Sequence, residues 1–396
     1  MTTELPSGFL WGASTAAHQI EGNNVNSDWW QREHASSHLQ HSGDAVDSYH
    51  RYPEDMRLLA EAGLTAYRFS IEWARIEPAE GHISRAELAH YRRMIDTARE
   101  LGLEPVVTLQ HFTVPRWLAE DGGWMDDRAI ERFGRYVEAA ATILGDVSWV
   151  CTINEPNMLS MMIALQQAAR DAGDGPTMER RRARRLPDPD PQAGERLAQA
   201  HHTARAILKR HTDAAVGWTV AAGALTATPG NEEMLRAIRH VREDQYWEAA
   251  RGDDFVGVQS YSSQAVDENG VVPHPDSPDN TLTGAAYRPD ALGMAVRHAW
   301  EVTGGVPILV TENGIPTADD QRRIDYTEAA LRGLFAAVAA GVDVRGYLHW
   351  SALDNFEWGH WEPTFGLIAV NRETFERTPK PSLAWLGATA RKGGLA

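Results

Sequence analysis

Short apolar runs alternate along this chain with longer stretches whose apolar positions recur every three or four residues. The short runs predict strands at Phe9–Ala13, Thr65–Ser70, Pro105–Gln110, Ser148–Ile153, Ala215–Val220, Phe255–Gln259, Pro307–Thr311 and Val344–Trp350. Between them, helical spacing covers Ser84–Leu101, Asp127–Leu144, Glu195–His211, Glu232–Arg251, Arg288–Val302 and Asp325–Ala340. Strands separated by helices imply parallel pairing through crossovers. Eight such units in 396 residues fit an α/β fold, a closed (β/α)8 TIM barrel, better than a doubly wound sheet. No linker interrupts the pattern, so residues 1–396 are expected to form a single domain. A divergent loop insertion is expected at about 158–194. Within it Gly173–Pro191 reads GDGPTMERRRARRLPDPDP, a solvated surface insertion or a flap over the barrel mouth. Asp267–Thr283, rich in Pro, Asp and Asn, reads as a second loop.

Composition narrows the function. Asp and Glu outnumber Lys and Arg by 55 to 38, and the formal charge of −17 argues against a partner that is nucleic acid or an anionic membrane. No run of 18 apolar residues offers a membrane span, and no signal peptide is visible, so a cytoplasmic location is the default expectation. The lone cysteine, Cys151, cannot form an intrachain disulfide. Fourteen tryptophans suit either core packing or the faces of sugar rings. Nothing in the sequence indicates the oligomeric state.

In such barrels the active site stands at the C-terminal ends of the strands. Gln19 follows the first strand, and Arg68 and Glu72 end the second. Gln110-His111-Phe112 ends the third and Asn154-Glu155-Pro156 the fourth. Gln259 and Tyr261 end the sixth, Glu312-Asn313-Gly314 the seventh, and Trp350 the eighth, followed by Glu357-Trp358. Carboxylates and amides for hydroxyls, with a tryptophan face for a ring, form a constellation for gripping a polyol. Glu155 and Glu312 come from strands that face each other across a barrel. One carboxylate that attacks an anomeric carbon and one that protonates the leaving oxygen is the requirement for glycoside cleavage, with the pair roughly 5–5.5 Å apart for retention.

The segments FLWGASTAAHQIEG (Phe9–Gly22), YRFSIEW (Tyr67–Trp73), TINEP (Thr152–Pro156), VTENG (Val310–Gly314) and WSALDNFEW (Trp350–Trp358) resemble glycoside hydrolase family 1, the β-glucosidase family. The resemblance runs over nearly the whole chain. It implies a retaining β-glycosidase without cofactor or metal, acting on a small-molecule glycoside, with β-glucosidase activity foremost and β-fucosidase or β-galactosidase activity beside it. It implies Glu155 as acid/base and Glu312 as nucleophile. Asn154 would hold the sugar 2-hydroxyl, Tyr261 would orient Glu312, and Arg68 would support that carboxylate as an anion. Gln19, His111, Gln259, Glu357 and Trp358 would hold the sugar, and Trp350 would be its stacking floor.

The departures fall away from the two glutamates. Asn157 stands where the family usually has an aromatic residue, Gln259-Ser260-Tyr261 replaces Asn-Tyr-Tyr, Phe112 replaces Trp, and the tail before Phe365 lacks the usual arginine. A 6-phospho-β-glycosidase is the nearest alternative. Trp358 and the absence of Lys or Arg from Gly359–Gly366 oppose it, and Glu357, as an anion, would repel a phosphate. Only the cluster Arg180–Arg185 favours it. A catalytically silent sugar-binding barrel would lack one glutamate, and no HxH or HExxH stands at a strand end to build a metal site.

Overall fold

The computed structural model describes residues 5–171 and 187–395. Eight strands close into a barrel: β1 (Leu10–Ser14), β2 (Ala66–Ser70), β3 (Glu104–Gln110), β4 (Trp149–Asn154), β5 (Ala215–Ala221), β6 (Val256–Gln259), β7 (Ile308–Asn313) and β8 (Val344–Trp350). Every neighbouring pair is parallel, and β8 hydrogen-bonds to β1. All eight expected strands are present within one or two residues at each end. Residues Arg180–Arg185, the cluster read above as a surface insertion or flap, lie outside the described residues.

The barrel interior is closed from below by a layer of apolar side chains: Ala66, Val106, Cys151, Phe255, Leu309 and Leu348. Moving two residues along a strand returns to the same face. That step leads from Ala66 to Arg68, from Val106 to Thr108, and from Leu348 to Trp350. In β4 and β7 the step from core to chemistry is three residues, Cys151 to Asn154 and Leu309 to Glu312. Strict alternation would turn both side chains outward. Each strand carries a register shift at that place, between Cys151 and Asn154 and between Val310 and Glu312, and both side chains point in.

Several helices go beyond expectation, Asp28–Ala35 and Pro381–Arg391 among them, and three departures bear on the barrel and its site. Ser48–Ala62 is helical although Pro53 lies inside it, which hid it from the pattern. Burial of Met56 and Leu59, and the ion pair below, stabilise it. Pro156–Asp171 begins a helix directly after Glu155, with proline at the first helical position where its missing N–H is harmless. The single helix expected over Glu232–Arg251 is broken by a π turn at His240–Asp244.

The chain beyond β8 returns to the helix Ser48–Ala62, which precedes β2. Arg377 Nε donates to Asp55 Oδ1 at 2.7 Å and Arg377 Nη2 to the Val46 carbonyl at 2.8 Å, with both side chains buried. Ser48 Oγ donates to Asp55 Oδ2 at 2.7 Å. Removing one charge of such a pair strands the other in a low dielectric. Asp55→Ala is therefore expected to lower the unfolding free energy by about 3–5 kcal/mol, read as a fall in the urea midpoint. An unchanged midpoint would show that Arg377 finds water or another anion.

Candidate active site

The strand ends deliver their side chains to one cavity of about 400 Å³. Glu155, Glu312, His111, Tyr261, Trp350, Glu357 and Trp358 all line it. Strand register explains much of this: Glu312 pairs with Gln259, Asn154 with Thr219, and Ser14 with both Arg68 and Trp350. Gly314 lets β7 end against β8, because a Cβ there would overlap the Trp350 carbonyl oxygen. Three lining residues, Phe112, Glu155 and Trp358, adopt positive φ angles of 66°, 44° and 49° without being glycine.

Glu312 is surrounded by donors. Arg68 Nη1 donates to Oε1 at 2.6 Å, Gln259 Nε2 donates to the same oxygen at 2.7 Å, and the Tyr261 hydroxyl donates to Oε2. Burial pushes this carboxyl above its usual range, and the Arg68 charge and the Tyr261 bond pull it back. Glu155 has no such partners: among the described residues, none hydrogen-bonds its carboxyl. Burial first, then the negative charge of Glu312, hold Glu155 well above the ordinary carboxylate range. The two acids are thus separated by environment, and the proton of the pair rests on Glu155.

A chain of hydrogen bonds fixes the neighbouring polar groups. Arg68 Nη2, Thr219 Oγ1 and Gln259 Nε2 all donate to Asn154 Oδ1, at 2.6, 3.0 and 2.8 Å. Because guanidinium only donates, the Asn154 amide orientation follows. Its Nδ2 then faces His111 Nε2 at 3.1 Å and donates to it. Burial, aided by Arg68, holds the His111 pKa well below its ordinary value, so the ring is neutral. Its proton accordingly sits on Nδ1, which is buried and has no partner among the described residues.

The aromatic wall is continuous. His111 stacks against Trp350 and Trp358 with ring centroids 5.8 and 6.0 Å apart. Trp29 meets Trp358 at 4.8 Å. Trp350 Nε1 and Asn355 Nδ2 both donate to Glu357 Oε1 at 3.2 Å. Burial nevertheless raises the Glu357 pKa to about 8.

Several residues read as strand-end chemistry lie behind the lining. Gln259 directs its nitrogen to Glu312 and Asn154 and does not line the cavity. Gln19 donates to the Phe356 carbonyl at 2.8 Å and keeps an unpartnered Oε1. Glu72 caps the short helix Trp73–Ile76 and accepts from Thr113 at 2.8 Å. Asn157 ties the helix after Glu155 to other elements: Nδ2 donates to the carbonyls of Ala221 and Arg242 at 2.8 and 2.9 Å, and Oδ1 accepts from Ala221 N at 3.2 Å. Sequence reasoning missed Trp29, Met158, Met162 and Phe365 as lining residues. For Met158 and Met162 the available signal was their spacing of three and seven from Glu155. Trp29 had none, since it reaches the cavity from a helix inside the segment joining β1 to β2.

Among the described residues no group of His, Cys, Asp and Glu could hold a metal ion, and no helix is long and apolar enough to cross a membrane.

Known proteins share this sequence pattern and this fold. The family model described as Glycosyl hydrolase family 1 matches residues 1–247 and 233–395. The thermostable beta-glucosidase B of Thermobispora bispora is 31% identical, with 98% of this chain and 91% of the relative covered. A bifunctional beta-D-glucosidase/beta-D-fucosidase of Bifidobacterium breve is 29% identical, with 97% and 98% covered. The crystal structure of beta-glycosidase BGL167 superposes with a TM-score of 0.88 at 43% identity, over 99% of this chain and 98% of that one. Barrel, paired glutamates and relatives lead to one conclusion: the chain belongs to glycosyl hydrolase family 1 and is a glycoside hydrolase.

Proposed function

We propose that this enzyme hydrolyses neutral β-D-glycosides with retention of configuration, β-glucosides foremost and β-fucosides or β-galactosides beside them. Glu312 is the nucleophile and Glu155 the acid/base. One observation carries the reading: two carboxyls line one cavity, and only Glu312 has a cation and two further donors on it. In the first step a Glu312 oxygen bonds to the anomeric carbon as the bond to the aglycone oxygen breaks, and Glu155 gives that oxygen its proton. Esterification neutralises Glu312. The charge that helped hold the proton on Glu155 is then gone, its pKa falls, and it becomes the base for the incoming water. Water takes the anomeric carbon, Glu312 leaves as carboxylate, and two inversions give retention.

Within this reading His111 and Glu357 bind sugar hydroxyls, Trp350 and Trp358 shape the ring site, and Asn154, Gln19 and Gln259 complete it from behind. Tyr261 and Arg68 orient Glu312. The same cavity argues against a 6-phosphoglycoside. No Lys or Arg lines it among the described residues, so a phosphate dianion would lose its water without a counter-charge. In direct competition, nitrophenyl β-glucoside is expected to be hydrolysed at least ~100-fold faster than its 6-phosphate, from about 3 kcal/mol of uncompensated desolvation. Faster turnover of the phosphate would reverse the substrate class.

A further inference from the structure

We propose that His18 and Glu33, neither of which lines the cavity, are positioning residues that hold the Trp358 indole in place and so set the affinity for the sugar ring. This rests on the proposed function, in which Trp358 shapes the ring site. Trp358 needs outside support, because its φ of 49° lies in the left-handed region that a bulky side chain avoids. Such a conformation persists only where the surroundings impose it.

The His18 ring supplies one such constraint. It meets the Trp358 indole with centroids 5.8 Å apart and planes 10° from parallel. His111, which does line the cavity, stacks on the same indole at 6.0 Å and 14°. His18 itself is buried, and partners at both nitrogens hold its plane. Nε2 faces Glu33 Oε2 at 3.5 Å, the outer edge of hydrogen bonding. A carboxylate only accepts, so the proton sits on Nε2 and Nδ1 takes the Asn24 amide at 3.2 Å.

Glu33 joins this ring to a second support. Its side chain is fully buried, a costly place for a carboxylate unless donors surround it. Ser42 N and Oγ donate to Oε1 at 3.0 and 2.6 Å. Burial pushes the Glu33 carboxyl up, and the bonds from His18 and Ser42 outweigh burial and hold it below the ordinary range. Two residues before Ser42, Gln40 N donates to the carbonyl of Gly359, the neighbour of Trp358, at 2.9 Å. One buried carboxylate thus ties both the ring beside Trp358 and the segment that grips its backbone.

The test measures inhibition by D-glucose, which fills the ring site alone, against nitrophenyl β-glucoside as substrate. His18→Gln removes the ring and keeps a donor for Glu33 and an acceptor for Asn24. The glucose inhibition constant is expected to rise about tenfold, the scale of a lost aromatic support, while kcat falls no more than about threefold. His18→Phe/Glu33→Gln restores a flat ring without stranding a charge and should recover most of that affinity. If His18→Gln does not fold, His18→Leu/Glu33→Gln, which also leaves no buried charge, carries the same comparison with the Phe variant. A purely structural role would lower the unfolding midpoint and leave the inhibition constant alone. An unchanged constant, or a rise that the Phe variant does not reverse, overturns this inference and spares the proposed function. A wild-type enzyme that cleaves no β-glycoside overturns both.

Discussion

Glu312→Ala is expected to abolish measurable turnover, a loss on the order of 10⁵-fold, the scale on which catalytic nucleophiles act. The carboxylate that accepts from Arg68, Gln259 and Tyr261 would be gone, and its volume would be left beside those three donors. The guanidinium would remain buried without its anion. A small anion such as azide fits that vacancy in both size and charge. With an activated nitrophenyl β-glycoside, azide should restore cleavage and give the α-glycosyl azide. One inversion has then occurred and no second carboxylate exchange follows. The configuration of the product, read by NMR, checks the assignment; a β-azide would place the nucleophile elsewhere.

Glu155→Gln should separate substrates by leaving group. An alcohol of high pKa cannot depart without a proton, so alkyl glycosides should slow by about 10²–10⁴-fold. A nitrophenolate needs little assistance, and its first step should be nearly untouched. The pH profile adds an independent check. Glu155 must carry its proton for the first step, and burial together with the Glu312 charge raises its pKa well above the ordinary range. The active form is thus retained as pH rises past the usual carboxylate pKa, and activity falls only as pH passes the raised value. In Glu155→Gln that basic limb should disappear for an activated substrate. Equal losses across a leaving-group series would show that Glu155 is not the acid.

The barrel was legible because each strand is a short apolar run between turn residues, a signal that survives errors of a residue or two at either end. Glu155 and Glu312 were legible for a related reason: strand ends of a barrel converge, so residues distant in sequence can be placed together by counting strands. What escaped depended on contacts between elements. Pro53 concealed the helix Ser48–Ala62, whose stability comes from Met56, Leu59 and the Asp55–Arg377 pair. The inward turn of Asn154 and Glu312 depends on register shifts that no alternation pattern announces. Gln259 read as a sugar-binding amide because nothing in the sequence says that its nitrogen reaches two other protein oxygens first. The raised pKa of Glu357 was likewise beyond its letter code: burial sets it, against the pull of the Trp350 and Asn355 hydrogen bonds.

The departure at position 157 has a consequence for how such an enzyme can change over time. Asn157 anchors the start of its helix to Ala221 at the end of β5 and to Arg242 in the π turn, two residues past the acid, whose own amide is held by the Thr219 carbonyl at 2.8 Å. The acid is thereby clamped from behind by polar bonds that involve no residue further along its helix. Exposed positions beyond that clamp, such as Leu165, can change without disturbing it, and selection on the choice of leaving group can proceed there without retuning the chemistry. A side chain that looks like the loss of an aromatic contact serves, in evolutionary terms, as a firewall between a fixed reaction and a changeable specificity.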